Sequence, residues 1–98
     1  MKVTNGIELE KVILSNNLLH VIDVREPFEV AEGTIPGAIN IPLGQLPQQV
    51  NTLNKEQHYY VVCRSGARSL NAVAFLNEHG YDATNVEGGM LMWNGPVE

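Results

Sequence analysis

Apolar residues follow two rhythms along this chain, and the alternation between them predicts its elements. Over residues 6–15, Ile7, Leu9, Val12, Ile13 and Leu14 recur near helical spacing. The next apolar run, Leu18-Leu19-His20-Val21-Ile22-Asp23-Val24, is short and β-branched, as strands buried in parallel sheets are. Pro27 suits the first turn of a short helix through Ala31, which Gly33 would end. Ala38 to Ile41, bounded by Pro36-Gly37 and Pro42, reads as a second strand. Leu43 to Leu53 reads as a further helix, against which Gly44 and Pro47 weigh. His58 to Val62 is a third strand, and residues 68–79 place Leu70, Val73, Ala74 and Leu76 on one helical face. His79 and Gly80 are suited to that helix's C-terminus. Ala83 to Val86 makes a last strand before Gly88-Gly89 and a helical stretch to Trp93. Short strands alternating with helices imply an α/β domain with a mainly parallel sheet and helices on both faces. Ligand sites in such sheets lie at the carboxyl ends of strands, where Cys63 stands.

At 98 residues the chain has the length of one domain, able to bury a single core. Eleven acidic against six basic residues leave a net charge of -5, which disfavours nucleic acid and anionic membrane surfaces as partners. Apolar runs are too short to span a bilayer, and Glu8, Glu10 and Lys11 break up any signal-peptide core, so a cytoplasmic location is expected. Cys63 is the sole cysteine, which excludes an internal disulfide and leaves two readings, a small buried hydrophobe or a reagent.

The neighbours of Cys63 favour the reagent. Tyr60 to Ser69 runs from strand through a short loop into a helix, which turns successive backbone N–H groups inward beside the positive end of the helix dipole. Such a cradle stabilises a thiolate. Arg64 and Arg68, two of six basic residues, flank it; Gly66 permits a positive φ, and Ser69 offers a hydroxyl. His20, His58 and His79 lie far apart at element edges, so no metal site and no cofactor are expected. Trp93 reads as core.

These residues resemble the rhodanese-like domain family, in its single-domain form, nearly end to end (1–98). Asp23-Val24-Arg25-Glu26 with Glu29 is similar to its first signature, and Gly33-Thr34-Ile35-Pro36-Gly37-Ala38-Ile39-Asn40-Ile41-Pro42 to its second. Cys63-Arg64-Ser65-Gly66-Ala67-Arg68-Ser69 matches the active loop, and Val86-Glu87-Gly88-Gly89 with Trp93 the closing signature. The resemblance implies an α/β fold with about five short strands. It also implies sulfurtransferase activity, in which Cys63 takes a sulfane sulfur from thiosulfate or another persulfide donor, holds it as a persulfide, and passes it to cyanide or a thiol. Residues 64–69 would bind the donor, Arg64 and Arg68 holding its anionic oxygens. In the family, arginine directly after the cysteine goes with thiosulfate. The alternative is a carrier or interaction module that exchanges persulfide with a thioredoxin-like or sulfur-relay protein.

Loop length separates this reading from the related phosphatases and arsenate reductases, which place one more residue between cysteine and arginine. Here four residues, 64–67, intervene, and a tighter loop suits a terminal sulfur. Many family members carry histidine where this chain has Thr34, a change expected to remove a polar contact. Asp23 is expected to orient loop groups or pair with an arginine, with Arg25 in the same network, in preference to acting as a base.

Overall fold

The computed structural model describes residues 1–15 and 19–98. Five strands, β1 (Lys2–Asn5), β2 (His20–Asp23), β3 (Ile39–Asn40), β4 (His58–Val62) and β5 (Asp82–Glu87), form one parallel sheet in the order β1-β5-β4-β2-β3. Helices α1 (Gly6–Ser15), α2 (Pro27–Val30), α3 (Leu46–Gln49) and α4 (Ala67–Glu78) connect them. The sequence expectation of a mainly parallel α/β domain therefore holds.

Alternation along the central strands divides the core in two. Ile22, Tyr59, Val61, Cys63 and Ala83 face one layer with Ala72, Val73 and Leu76 of α4 and Leu46 of α3. Val21, Val62 and Val86 face the other, with Leu9 of α1, Ile35 and Trp93. Residues such as Ile22, Val61 and Val62 are fully buried, each contributing roughly 1.5–3 kcal/mol of apolar transfer. Trp93 lies in that second layer and donates its indole N–H to Pro96 O at 2.9 Å.

Four expectations change. β1 carried no apolar alternation, because it is an edge strand whose side chains are largely exposed; its order comes from pairing with β5, Lys2 opposite Thr84 through Asn5 opposite Glu87. Residues 43–53 are not one helix: Leu43–Gln45 and Val50–Thr52 are 3-10 turns around the four-residue α3, which holds Pro47 in its first turn. The stretch before Trp93 is a 3-10 turn, Gly89–Met92. On α4, Leu70 is exposed, and the buried stripe is Ser69, Ala72, Val73 and Leu76 at i, i+3, i+4 and i+7. Leu18 of the predicted second element lies outside the described residues.

Topology then positions the site. β4 leads through α4 to β5 on one side, while its neighbour β2 leads to β3 on the other. The two loops leave neighbouring strands at their carboxyl ends and turn toward opposite edges of the sheet, with Cys63 on one loop and Arg25 to Glu29 on the other.

Candidate active site

Cys63 follows the last residue of β4 and is 1 % exposed. It is a member of the core cluster and also the centre of a hydrogen-bonded loop. Gly66 takes φ +112 at the N-cap of α4, and its N–H donates to Cys63 Sγ at 3.1 Å. The Ser69 hydroxyl lies 3.3 Å from the same sulfur and 3.1 Å from Gly66 O.

The orientation of the loop amides is imposed from β5. After that strand, Met90 N–H donates to Cys63 O at 2.9 Å and Leu91 N–H to Arg64 O at 3.0 Å. A trans peptide points its N–H opposite its C=O, so drawing Arg64 O toward Leu91 aims the Ser65 N–H the other way, at the sulfur. Gly89 makes this approach possible: a Cβ there would stand 2.6 Å from Arg64 O, with Cys63 O nearer still. Asn85 supports the loop from beneath, its amide 3.4 Å from Gly66 O.

Burial pushes the Cys63 thiol up, but the Ser69 hydroxyl and the N–H groups of Ser69, Gly66 and Ser65 outweigh it, and the net shift is below the ordinary thiol value. A thiolate here is stabilised chiefly by neutral dipoles. Ser69→Ala is accordingly expected to move the pH dependence of Cys63 alkylation by iodoacetamide to higher pH, because a raised thiol pKa leaves less thiolate at any pH below it. At neutral pH the rate should fall several-fold, and an unmoved profile would mean that the amides alone set the thiol.

The two loop arginines differ. Arg64 is exposed, and among the described residues its side chain has no ion-pair partner. Arg68 is claimed by Glu29 of α2, Nη1 to Oε1 at 2.7 Å and Nη2 to Oε2 at 2.8 Å. The Arg68 hydrogen bonds lower Glu29 most, against burial, and with the Glu26 N–H they bring it to about 2. Stability from this pair is complete above about pH 4.5 and is lost as pH falls through about 2. Arg68 is thus held in an ion pair with α2, whereas Arg64 has none among the described residues.

Asp23 and Arg25 form a buried pair away from Cys63's hydrogen-bond shell. Arg25 Nε and Nη2 reach the Asp23 carboxylate at 2.8–3.1 Å, and Nη2 also donates to Gly33 O at 2.7 Å. Thr34 donates its hydroxyl to Asp23 Oδ2 at 2.8 Å, so threonine at this position supplies a polar contact, contrary to the expected loss. Asn40 donates to both Asp23 O and Arg25 O at 2.9 Å. This knot fixes the β2 loop that carries Glu29. The histidines are dispersed: His58 contacts Asp82 and Thr84, and His79 stacks on Phe75.

Sequence reasoning did not assign roles to Glu29 or Asn85. Glu29 has a sufficient local explanation as the N3 acid receiving the Glu26 N–H, and its partner Arg68 is 39 positions away, beyond any local pattern. Asn85 and its neighbour Thr84 are buried polar side chains between Ala83 and Val86 of β5, a placement with no distinguishing mark in the sequence.

The family model described as Rhodanese-like domain matches residues 7–95. The chain is 47 % identical over its full length to a Bacillus subtilis protein named "Putative sulfurtransferase YtwF", covering 95 % of that protein. It is 38 % identical over 74 residues to a protein of Allochromatium vinosum named "Sulfurtransferase", covering 74 % of this chain and 69 % of that one. A crystal structure of a rhodanese-like domain protein from Staphylococcus aureus superposes with a TM-score of 0.95 at 40 % identity, covering all of this chain and 97 % of the other. Among the described residues no helix is long and apolar enough to cross a membrane.

Proposed function

Because this chain belongs to the rhodanese-like domain family, whose similar members are named for sulfur transfer, we propose that it transfers sulfane sulfur through a persulfide on Cys63. The observation that carries this reading is the cradle: a sole cysteine at the carboxyl end of β4 whose thiol is lowered by the Ser69 hydroxyl and the N–H groups of Ser65, Gly66 and Ser69. The thiolate attacks the outer sulfur of thiosulfate; the bond to Cys63 forms, the S–S bond of the donor breaks, and sulfite leaves with the electron pair. The dipoles that held the thiolate then hold the anionic persulfide. Cyanide or a thiolate attacks the outer sulfur in turn, leaving as thiocyanate or a new persulfide and returning the Cys63 thiolate. Burial of Sγ favours a slender terminal sulfur as the group that reaches it.

Exposed apolar side chains beside the loop favour a second reading of the acceptor. Phe28 precedes Glu29, the partner of Arg68, and Leu91 N–H bonds Arg64 O, so both exposed residues sit on segments joined to the active loop. A protein thiol presented on an apolar surface would meet them, as a sulfur-carrier role requires.

Intact-protein mass spectrometry tests the proposal. Thiosulfate is expected to add one sulfur to Cys63, and cyanide to remove it as stoichiometric thiocyanate. Failure to gain sulfur from thiosulfate or from a hydropersulfide, with the thiol still alkylatable, would overturn the sulfur-transfer mechanism. Loading with slow discharge to cyanide but fast discharge to a protein thiol would assign the carrier role.

A further inference from the structure

We propose that Glu29 sets the donor specificity of the site: by holding both terminal nitrogens of Arg68 it withdraws one of the loop's two guanidiniums from the incoming donor, disfavouring dianionic thiosulfate and favouring hydropersulfides carried on an organic or protein thiol. The proposal rests on the sulfur-transfer reading above and names its preferred substrate class.

Helix capping does not require this geometry. Oε1 accepts the Glu26 N–H at 3.0 Å, and one oxygen would suffice for that. Oε2 has Arg68 as its partner, at 2.8 Å, and the fork is bidentate between α2 and α4. Arg68 lies in the first turn of α4, the helix whose N-cap residue Gly66 donates its N–H to the Cys63 sulfur. A guanidinium carried on the turn that holds the reacting sulfur is therefore kept neutralised in its pair.

Charge makes the difference consequential. Cys63 thiolate with thiosulfate gathers three negative charges at the transition state, delivering Cys63–S–S⁻ and sulfite dianion. With a hydropersulfide, R–S–SH, whose R group has no net charge, it gathers one: the bond from Cys63 to the outer sulfur forms, the donor's S–S bond breaks, and R–S⁻ departs with the electron pair while the proton remains on the new Cys63–S–SH. One further anionic carboxylate, or its removal, must weigh far more on the first reaction than on the second.

The test compares wild type, Glu29→Gln, Arg68→Gln and the double variant, with two readouts. The first is the ratio of kcat/KM for thiosulfate to that for cysteine hydropersulfide, whose ammonium and carboxylate cancel. The second, independent of sulfur transfer, is the ratio of Cys63 alkylation rates by anionic iodoacetate and neutral iodoacetamide. Glu29→Gln is expected to raise both ratios about tenfold, Arg68→Gln to lower them, and 0.5 M salt to compress the differences. The double variant, with the pair's charge again zero, should return to within about twofold of wild type, which a merely structural role would not do. If both reagents slow together in Glu29→Gln and the double variant does not recover, Glu29 is a structural support and the proposal falls. If the wild type takes sulfur from neither donor, the sulfur-transfer reading falls and the donor class named here falls with it. If both donors load and neither ratio moves, this inference alone is overturned.

Discussion

Cys63→Ser is expected to abolish sulfur transfer, by more than about a thousandfold in thiocyanate production, while leaving the domain folded. Chemistry and packing part company at this residue. Cys63 is the sole thiol, so no other side chain can hold the sulfur covalently. A hydroxyl in the same cradle stays protonated at neutral pH, because among its hydrogen-bonding neighbours Ser69 and the loop amides are donors and not bases. The fold should tolerate the change: serine is close to cysteine in size, and the Gly66 N–H and Ser69 hydroxyl that met the sulfur can meet an oxygen. The cost should be about 1–2 kcal/mol, for a polar group buried with partners in hand. Circular dichroism with thermal unfolding, beside the thiocyanate assay, checks both halves. Turnover surviving in a folded variant would overturn the covalent mechanism, and an unfolded one would place Cys63 among the groups that hold the core together.

Much of this site was legible because its logic is local. Strand, loop, Gly66 and helix follow one another within ten positions, so Cys63 at an anion-stabilising turn could be read from order alone. The same holds for β2, β4 and α4, whose buried faces repeat at strand or helix spacing. What escaped is non-local. β1 is ordered by a partner strand 82 positions away and shows no apolar rhythm. The pairing of Arg68 with Glu29 decides whether that guanidinium is available, yet each residue has an adequate local explanation that conceals the other. Thr34 was read as a lost contact because its hydroxyl's partner, Asp23, lies on another element eleven positions back. Leu70 was placed in the core by its apolar character, whereas the helix turns Ser69, Ala72, Val73 and Leu76 inward. Small residues at that face let α4 bring Ser69 to the sulfur, a geometric demand that hydrophobicity alone does not encode.

Gly89→Ala is expected to be the most disruptive conservative change outside the loop itself. Two costs coincide there. The residue holds φ +53, which costs an L-residue roughly 1–2 kcal/mol. The added methyl would also stand 2.6 Å from Arg64 O and 2.7 Å from Arg64 C, with Cys63 O closer, and these are backbone atoms that a rotamer change cannot clear. Relief requires the β5 turn and the active loop to separate, which breaks the Met90 N–H to Cys63 O and Leu91 N–H to Arg64 O bonds. Those bonds fix the peptide planes, so their loss should turn the Ser65 amide off the sulfur and raise the thiol pKa. The expected outcome is about 3 kcal/mol of destabilisation in urea unfolding, with sulfur transfer reduced more than tenfold at pH 7. Gly37→Ala separates the two costs: Gly37 also has a positive φ, +82, but a Cβ there meets nothing within 4 Å. It should lose about 1 kcal/mol and keep its activity. If Gly89→Ala costs no more than Gly37→Ala and transfers sulfur as well, the close backbone approach from β5 is not what aims the cradle at Cys63.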